Sequence, residues 1–157
     1  MEAIILLGHG SRAAGAARDM ERIAEALKRT MGVSLVAPAH MSLAKPGLEK
    51  VFAQVVAAGA TRVLVMPYFL HLGMHMRADI PRMLQELCAA HPRVQVVLGK
   101  HLGFDEALVG LVAKRIRESR DLPDVRTVKV ADEPGGGVHE RGSSHSRTGA
   151  LRLERRP

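Results

Sequence analysis

Ala3-Ile4-Ile5-Leu6-Leu7-Gly8-His9-Gly10-Ser11-Arg12-Ala13 is the stretch on which the reading of this chain turns. Residues 3–7 are apolar without a polar alternation, which predicts a strand covered on both faces, as in a parallel sheet. Gly8 ends the run and the period then changes. Ala13, Ala17, Met20, Ile23, Ala24, Leu27 and Met31 fall three or four apart, the stripe of an amphipathic helix, and Gly32 is its C-terminal stop. A buried strand that leads through a glycine turn into a helix is the first half of a parallel βα unit.

The same succession follows three more times. Val33 to Ala37 reads as a second strand closed by Pro38, and a helix opening at Pro46 carries Leu48, Val51, Phe52, Val55 and Val56 before Gly59 stops it. Val63 to Met66 is a third strand, followed by a long loop from Pro67 to Ala78. Asp79 is then expected to cap a third helix, with Pro81 in its first turn and Ile80, Met83, Leu84, Leu87 and Cys88 as its stripe. Val94 to Leu98 is a fourth strand, and Phe104, Leu108, Leu111, Val112 and Ile116 mark a fourth helix. The expected fold class is α/β: an open, mainly parallel sheet of four or five strands with helices on both faces.

Residues 1–120 are expected to form the one folded domain. Residues 121–157 read as a flexible, mostly disordered basic tail, in which Thr127 to Val130 is a candidate fifth strand. From Asp132 onward glycine, serine and arginine dominate and large apolar residues are few, too few to offset the entropy of ordering. The chain as a whole has the composition of a globular protein, with 46% hydrophobic and 25% charged residues. No apolar run approaches the ~20 residues of a membrane span. The first residues lack the basic flank and cleavage site of a signal peptide, and Cys88 is the only cysteine. A cytoplasmic protein without membrane attachment is the expectation.

Of the 23 Lys and Arg, 16 lie in residues 1–120 against 10 Asp and Glu there, so the excess of positive charge belongs to the folded part. That balance suits an anionic partner, either nucleic acid or a small polycarboxylate. It is also compatible with a surface kept basic for solubility. Tyr68, Phe52, Phe69 and Phe104 are the only aromatic residues, a poor supply for stacking on bases, and nucleic acid is not the expected partner.

The histidines carry the most information. His9 follows strand one, His40 strand two, His71 and His75 strand three, and His101 strand four. In an open parallel sheet those strand ends form one rim, where ligands bind. Imidazole is both a metal ligand and a base that works near neutral pH. Each histidine taken alone reads as an exposed loop residue, and His40 and His101 are left so. His91, before Pro92, is explained by the dipole of the helix that ends there. The run Gly8-x-Gly10-x-x-Ala13 matches a relaxed dinucleotide fingerprint, but Met31 to His40 offers no acid to hold a ribose. No phosphate-binding Gly-Lys-Ser/Thr is present either. The segment Pro67 to Pro81 is apolar and methionine-rich, yet carries His71, His75, Arg77 and, just beyond, Arg82. It reads either as a packed loop with a snorkelling arginine or as the wall of a flat apolar pocket with cationic edges.

Gly8-His9-Gly10-Ser11-Arg12 after the first strand, with Pro67-Tyr68-Phe69-Leu70-x-x-Gly73-x-His75-x-x-x-Asp79-Ile80-Pro81 after the third, resembles the class II chelatases. It is most similar to the short sirohydrochlorin cobaltochelatases of the CbiX type. The resemblance covers about residues 2–120. It implies insertion of a divalent ion, Co2+ foremost and Ni2+ or Fe2+ as alternatives, into sirohydrochlorin, a tetrapyrrole with eight carboxylates. The ion is then a substrate, and no tightly bound cofactor is expected. By the same resemblance His9 and His75 are the metal-handling and proton-accepting pair. Ser11, Arg12, Met74, Met76, Arg77 and Arg82 are expected to hold the macrocycle, the arginines at its carboxylates and the methionines on its face. Long relatives fuse two such halves, so this single half is expected to work as a homodimer. One departure stands out. A Leu-Glu-x-Ala-Glu-Pro-Ser run frequent in the family reads Met41-Ser42-Leu43-Ala44-Lys45-Pro46-Gly47 here, without either acid. His71 and the tail's His139 and His145 have no assigned part. A metal or tetrapyrrole carrier that uses the same rim without turnover is the rival reading.

Overall fold

A computed structural model describes residues 1–11, 14–41 and 44–127, with all their side chains except those of Ala14 and His75. The chain divides into two units, Met1–Asp105 and Glu106–Pro157. The first unit contains a four-stranded parallel sheet in the order β2-β1-β3-β4. Its elements are β1 (Glu2–Gly8), α1 (Ala14–Met31), β2 (Leu35–His40), α2 (Leu48–Ala57), β3 (Arg62–Pro67), α3 (Met74–Ala90) and β4 (Gln95–Leu98). The second unit contributes α4 (Glu106–Ser119) and a 3-10 turn at Val125–Thr127. Thr127 therefore closes a turn instead of opening a fifth strand. The rest of that candidate strand, and nearly all of the expected tail with His139 and His145, lie outside the described residues.

The alternation along β1 divides the core in two. Ala3, Ile5 and Leu7 face a cluster closed by Leu48, Val51, Phe52 and Val55 of α2 and by Ile80, Leu84 and Leu87 of α3. Ile4 and Leu6 face the other way, against Met20 and Ala24 of α1. Helices thus cover both faces, and β1, paired with β2 on one side and β3 on the other, is apolar from Ala3 to Leu7 because that stretch has no solvent face.

Several boundaries differ from expectation: β2 begins at Leu35 and not at Val33, α2 at Leu48 and not at Pro46, and two larger differences lie at prolines. The second strand does not close at Pro38 but runs on to His40, with Leu6 as the register partner of Pro38. An edge strand has one row of N–H groups with nothing to bond, so a proline there costs no ladder bond. The third helix begins at Met74, after Gly73, and Pro81 lies inside it. Asp79 is not its cap. The burial of Ile80, Leu84 and Leu87 along one side holds the helix across the proline, which leaves the Arg77 carbonyl without its usual N–H partner. Phe104 precedes α4 instead of belonging to its stripe.

Candidate functional site at the rim of the parallel sheet

Strand order makes the site. The chain steps from β1 outward to β2, then returns past β1 to reach β3. Because α1 leaves β1 over one face and α3 leaves β3 over the other, the loops after these neighbouring strands part from one another. A crevice opens between them at the carboxyl ends, the topological switch point at which open α/β sheets bind ligands. The loops that flank it are Gly8–Ser11, carrying His9, and Tyr68–Gly73, which delivers the chain to His75.

Backbone hydrogen bonds tie the rim together loop by loop. The Tyr68 N–H donates to the Leu7 carbonyl at 2.8 Å and the Met41 N–H to the Gly8 carbonyl at 3.0 Å. On the other side Gly99 N–H reaches Val65 O at 2.8 Å, and Leu102 N–H reaches Phe69 O at 2.9 Å. Gly10 turns with φ at 98°, a conformation open to glycine and strained for other residues. His9, exposed at this turn, sets its ring edge-on to Phe69 with centroids 6.2 Å apart and planes at 83°. Phe69 is itself buried in the α2/α3 cluster, so the imidazole leans on a fixed wall. His75 is the second residue of α3, one short loop beyond Phe69.

The other expected site residues separate by environment. Ser11 lines a cavity of about 350 Å3 together with His9, Gly10 and Tyr68. Met74, the first residue of α3, is 86% exposed, whereas Met76 is half-buried and packs on the α2/α3 cluster. Arg77 is exposed in the first turn of α3, and Arg82 is paired with Asp79 at 2.8 Å with both side chains accessible. Arg12 lies outside the described residues, as do Ser42 and Leu43. His71 is exposed and His101 half-buried. His91 caps α3 and rests against Phe52, centroids 5.3 Å apart.

Two residues on the rim were not expected to matter. Phe104, at 82% exposure, stands in the loop after β4, a few residues past the Leu102–Phe69 bond; its place among apolar residues spaced like a helix concealed it. His40 is not an exposed loop residue but the last residue of β2, 6% exposed. Its position became visible only when Pro38 proved to lie within the strand. Among the described residues no three His, Cys, Asp or Glu side chains converge on a common point, and no helix is long and apolar enough to cross a membrane.

A parallel sheet whose histidine-bearing loops flank a switch point defines a class, the open α/β proteins that bind ligands beyond their strand ends. Within that class the chain belongs to the CbiX family, whose profile matches residues 3–119. It is 31% identical over 119 residues to the sirohydrochlorin ferrochelatase of Priestia megaterium, a match that takes in 76% of this chain and 45% of the relative. It is 26% identical over 139 residues to the sirohydrochlorin cobaltochelatase of Methanopyrus kandleri, covering 76% of this chain and 97% of that one. The crystal structure of the sirohydrochlorin chelatase SirB from Bacillus subtilis subspecies spizizenii in complex with cobalt superposes with a TM-score of 0.69 at 29% identity, over 74% of this chain and 50% of its own. The chain thus spans about half the length of the ferrochelatase relative and all but a few percent of the cobaltochelatase.

Proposed function

We propose that the protein is a chelatase that inserts a divalent ion, Co2+ foremost, into sirohydrochlorin, with His9 and His75 as the metal-handling and proton-accepting pair. The observation that carries this reading is the position of the two histidine-bearing segments on either side of the switch-point crevice, with His9 braced on Phe69. Membership of the CbiX family supports the substrate class. The family match, which runs to residue 119, also supports counting α4 in the functional domain, residues 1–120, with 121–157 as an appendage.

The chemistry needs little beyond what these residues supply. Two pyrrole protons must leave as the ion enters, and a neutral imidazole accepts a proton near neutral pH. The same group holds first-row ions through one nitrogen, and a site with few protein ligands keeps positions open for the incoming ring nitrogens. Arg12 and Arg77 would face the macrocycle's carboxylates, where guanidinium forms charge-assisted pairs. Arg82 is held by Asp79 in an accessible pair, of a kind worth about 0–1 kcal/mol, so a substrate carboxylate can take the place of Asp79 at little cost. The exposed side chains of Met74 and Phe104 are suited to the flat face of the ring, a contact Met76 shares only in part.

Iron is the second reading, favoured by the ferrochelatase relative; imidazole ligands suit cobalt, nickel and iron alike and do not choose among them. The test is the visible spectrum of sirohydrochlorin mixed with the protein and Co2+, Fe2+ or Ni2+ in turn. Catalytic spectral change with one ion fastest is the expected result. Change limited to one equivalent of protein would mean a carrier and would overturn the enzymatic reading. His75→Ala is expected to abolish turnover while leaving the circular dichroism spectrum unchanged.

The half-length match also supports a homodimer. The stripe Val109, Val112 and Ile116 of α4, with Leu111 beside it, is exposed, and α4 has no buried residue. A second copy of the chain is the occupant this face calls for, since two half-length chains would restore the span of the long relatives.

A further inference from the structure

One group on the rim is left unused by the proposed chemistry. His40 and Gly8 are register partners at the ends of β2 and β1, about 4.8 Å apart across the ladder. The His40 Nδ1 is buried and has no hydrogen-bond partner. It lies 3.6 Å from the point a Cβ on Gly8 would occupy, and the Cε and Sδ of Met20 lie 3.1 and 3.7 Å from that point. The space over Gly8 is thus bordered by the imidazole nitrogen and by the Met20 thioether, a weak acceptor that cannot donate to it. Buried polar atoms in folded proteins are normally paired. His40 also lines the 350 Å3 cavity beside the β1 tip, together with His9, Ser11 and Asp19.

We infer that His40 and His9 form a docking site for the incoming divalent cation, on the α1 side of the β1 tip, from which the ion passes to the macrocycle. Only the last step of this inference rests on the chelatase reading. The cavity is large beside the ~30 Å3 that a water molecule occupies, so an ion can enter with several waters still attached. Two imidazoles with water in the remaining positions hold it less tightly than a closed four-ligand site does, which suits an ion that must be handed on. Asp19, also in the cavity wall, lies 3.7 Å from Arg22 with its side chain exposed, so the two imidazoles and not this carboxylate are the proposed ligands. Met20, flexible and polarizable, is the side chain that yields to admit the ion.

The experiment is a titration of the full chain with Co2+ alone, without tetrapyrrole, followed by visible d–d absorption and by the imidazole resonances in NMR. His40→Phe keeps a ring of similar size and removes both nitrogens. Loss of affinity of at least about tenfold is expected in that variant, and in the wild type the ring protons of residue 40 should show paramagnetic shifts or broadening. Equal Co2+ affinity in a folded His40→Phe protein would overturn the inference. Paramagnetic effects that reach the ring of His9 or the tail histidines and spare that of His40 would do the same, and this second measurement decides the matter alone if the variant does not fold. Wild-type protein that binds Co2+ through His40 yet never metallates sirohydrochlorin would overturn the chelatase reading and leave this site standing; turnover without His40 contact would do the reverse.

Discussion

Gly8 and Gly10 sit two residues apart and are glycines for different reasons. Gly10 has φ at 98°, where a side chain is strained whatever space surrounds it, so Gly10→Ala is expected to cost on the order of 1–2 kcal/mol in a urea unfolding experiment. The Gly8 backbone carries no such strain. A Cβ there would meet the Met20 Cε at 3.1 Å and His40 Nδ1 at 3.6 Å, and the methyl end of a methionine can move. The turn therefore depends on Gly10, whereas Gly8 keeps open the approach to the His40 nitrogen. Glycine at both positions is plain in the sequence. Which one answers to backbone strain and which to a neighbour is a matter of tertiary contacts.

Among the elements, α3 shows where reasoning by local signals fell short. Asp79 followed closely by a proline is an ordinary helix start, because a proline in the first turn gives up an N–H that has no partner anyway. In the folded chain the cap is Gly73 and the helix starts at Met74, which brings His75 and Arg77 onto its first turn. The apolar side formed by Ile80, Leu84 and Leu87 is buried, and that burial outweighs the missing bond. Pro81→Ala restores an N–H for the Arg77 carbonyl and is expected to raise stability by about 1–3 kcal/mol, read as a higher denaturant midpoint with an unchanged slope. Pro38 teaches the same lesson in a strand. It looks like a terminus, yet β2 is an edge strand and continues to His40. By contrast β1, α1 and α2 lie close to where their apolar periods put them, since burial on both faces or along one stripe leaves a pattern that no neighbour needs to explain.

For the molecule as a whole, the feature that most needs a partner is α4. Its apolar residues are regular enough to predict a helix, and the expectation of a core-facing stripe goes with them. Among the described residues Val109, Leu111, Val112 and Ile116 of α4 are exposed. If two copies of the chain meet there, replacing Val112 and Ile116 together by Glu should convert a dimer to a monomer in sedimentation velocity and leave the helical content as it was. A wild-type protein that sediments as a monomer at all concentrations would remove the proposal. The basic balance of residues 1–120 belongs to this scale too: under the proposed function it would favour approach of an anionic substrate, in a manner that salt screens.

Periodicity and composition by themselves determined the α/β class, the four βα units and the loop that carries His9, because strands buried on both faces must be continuously apolar and helices buried on one face must repeat near 3.6, whereas the place of His75 on α3 was not among the things they determined. Only the tertiary structure decided that β1 lies between β2 and β3, that α1 and α3 cover opposite faces, and hence that a crevice opens between the loops after β1 and β3. It also decided that His40 is a buried strand residue. These outcomes depend on contacts between segments far apart in the chain, and no local pattern records with which distant partner a strand will pair.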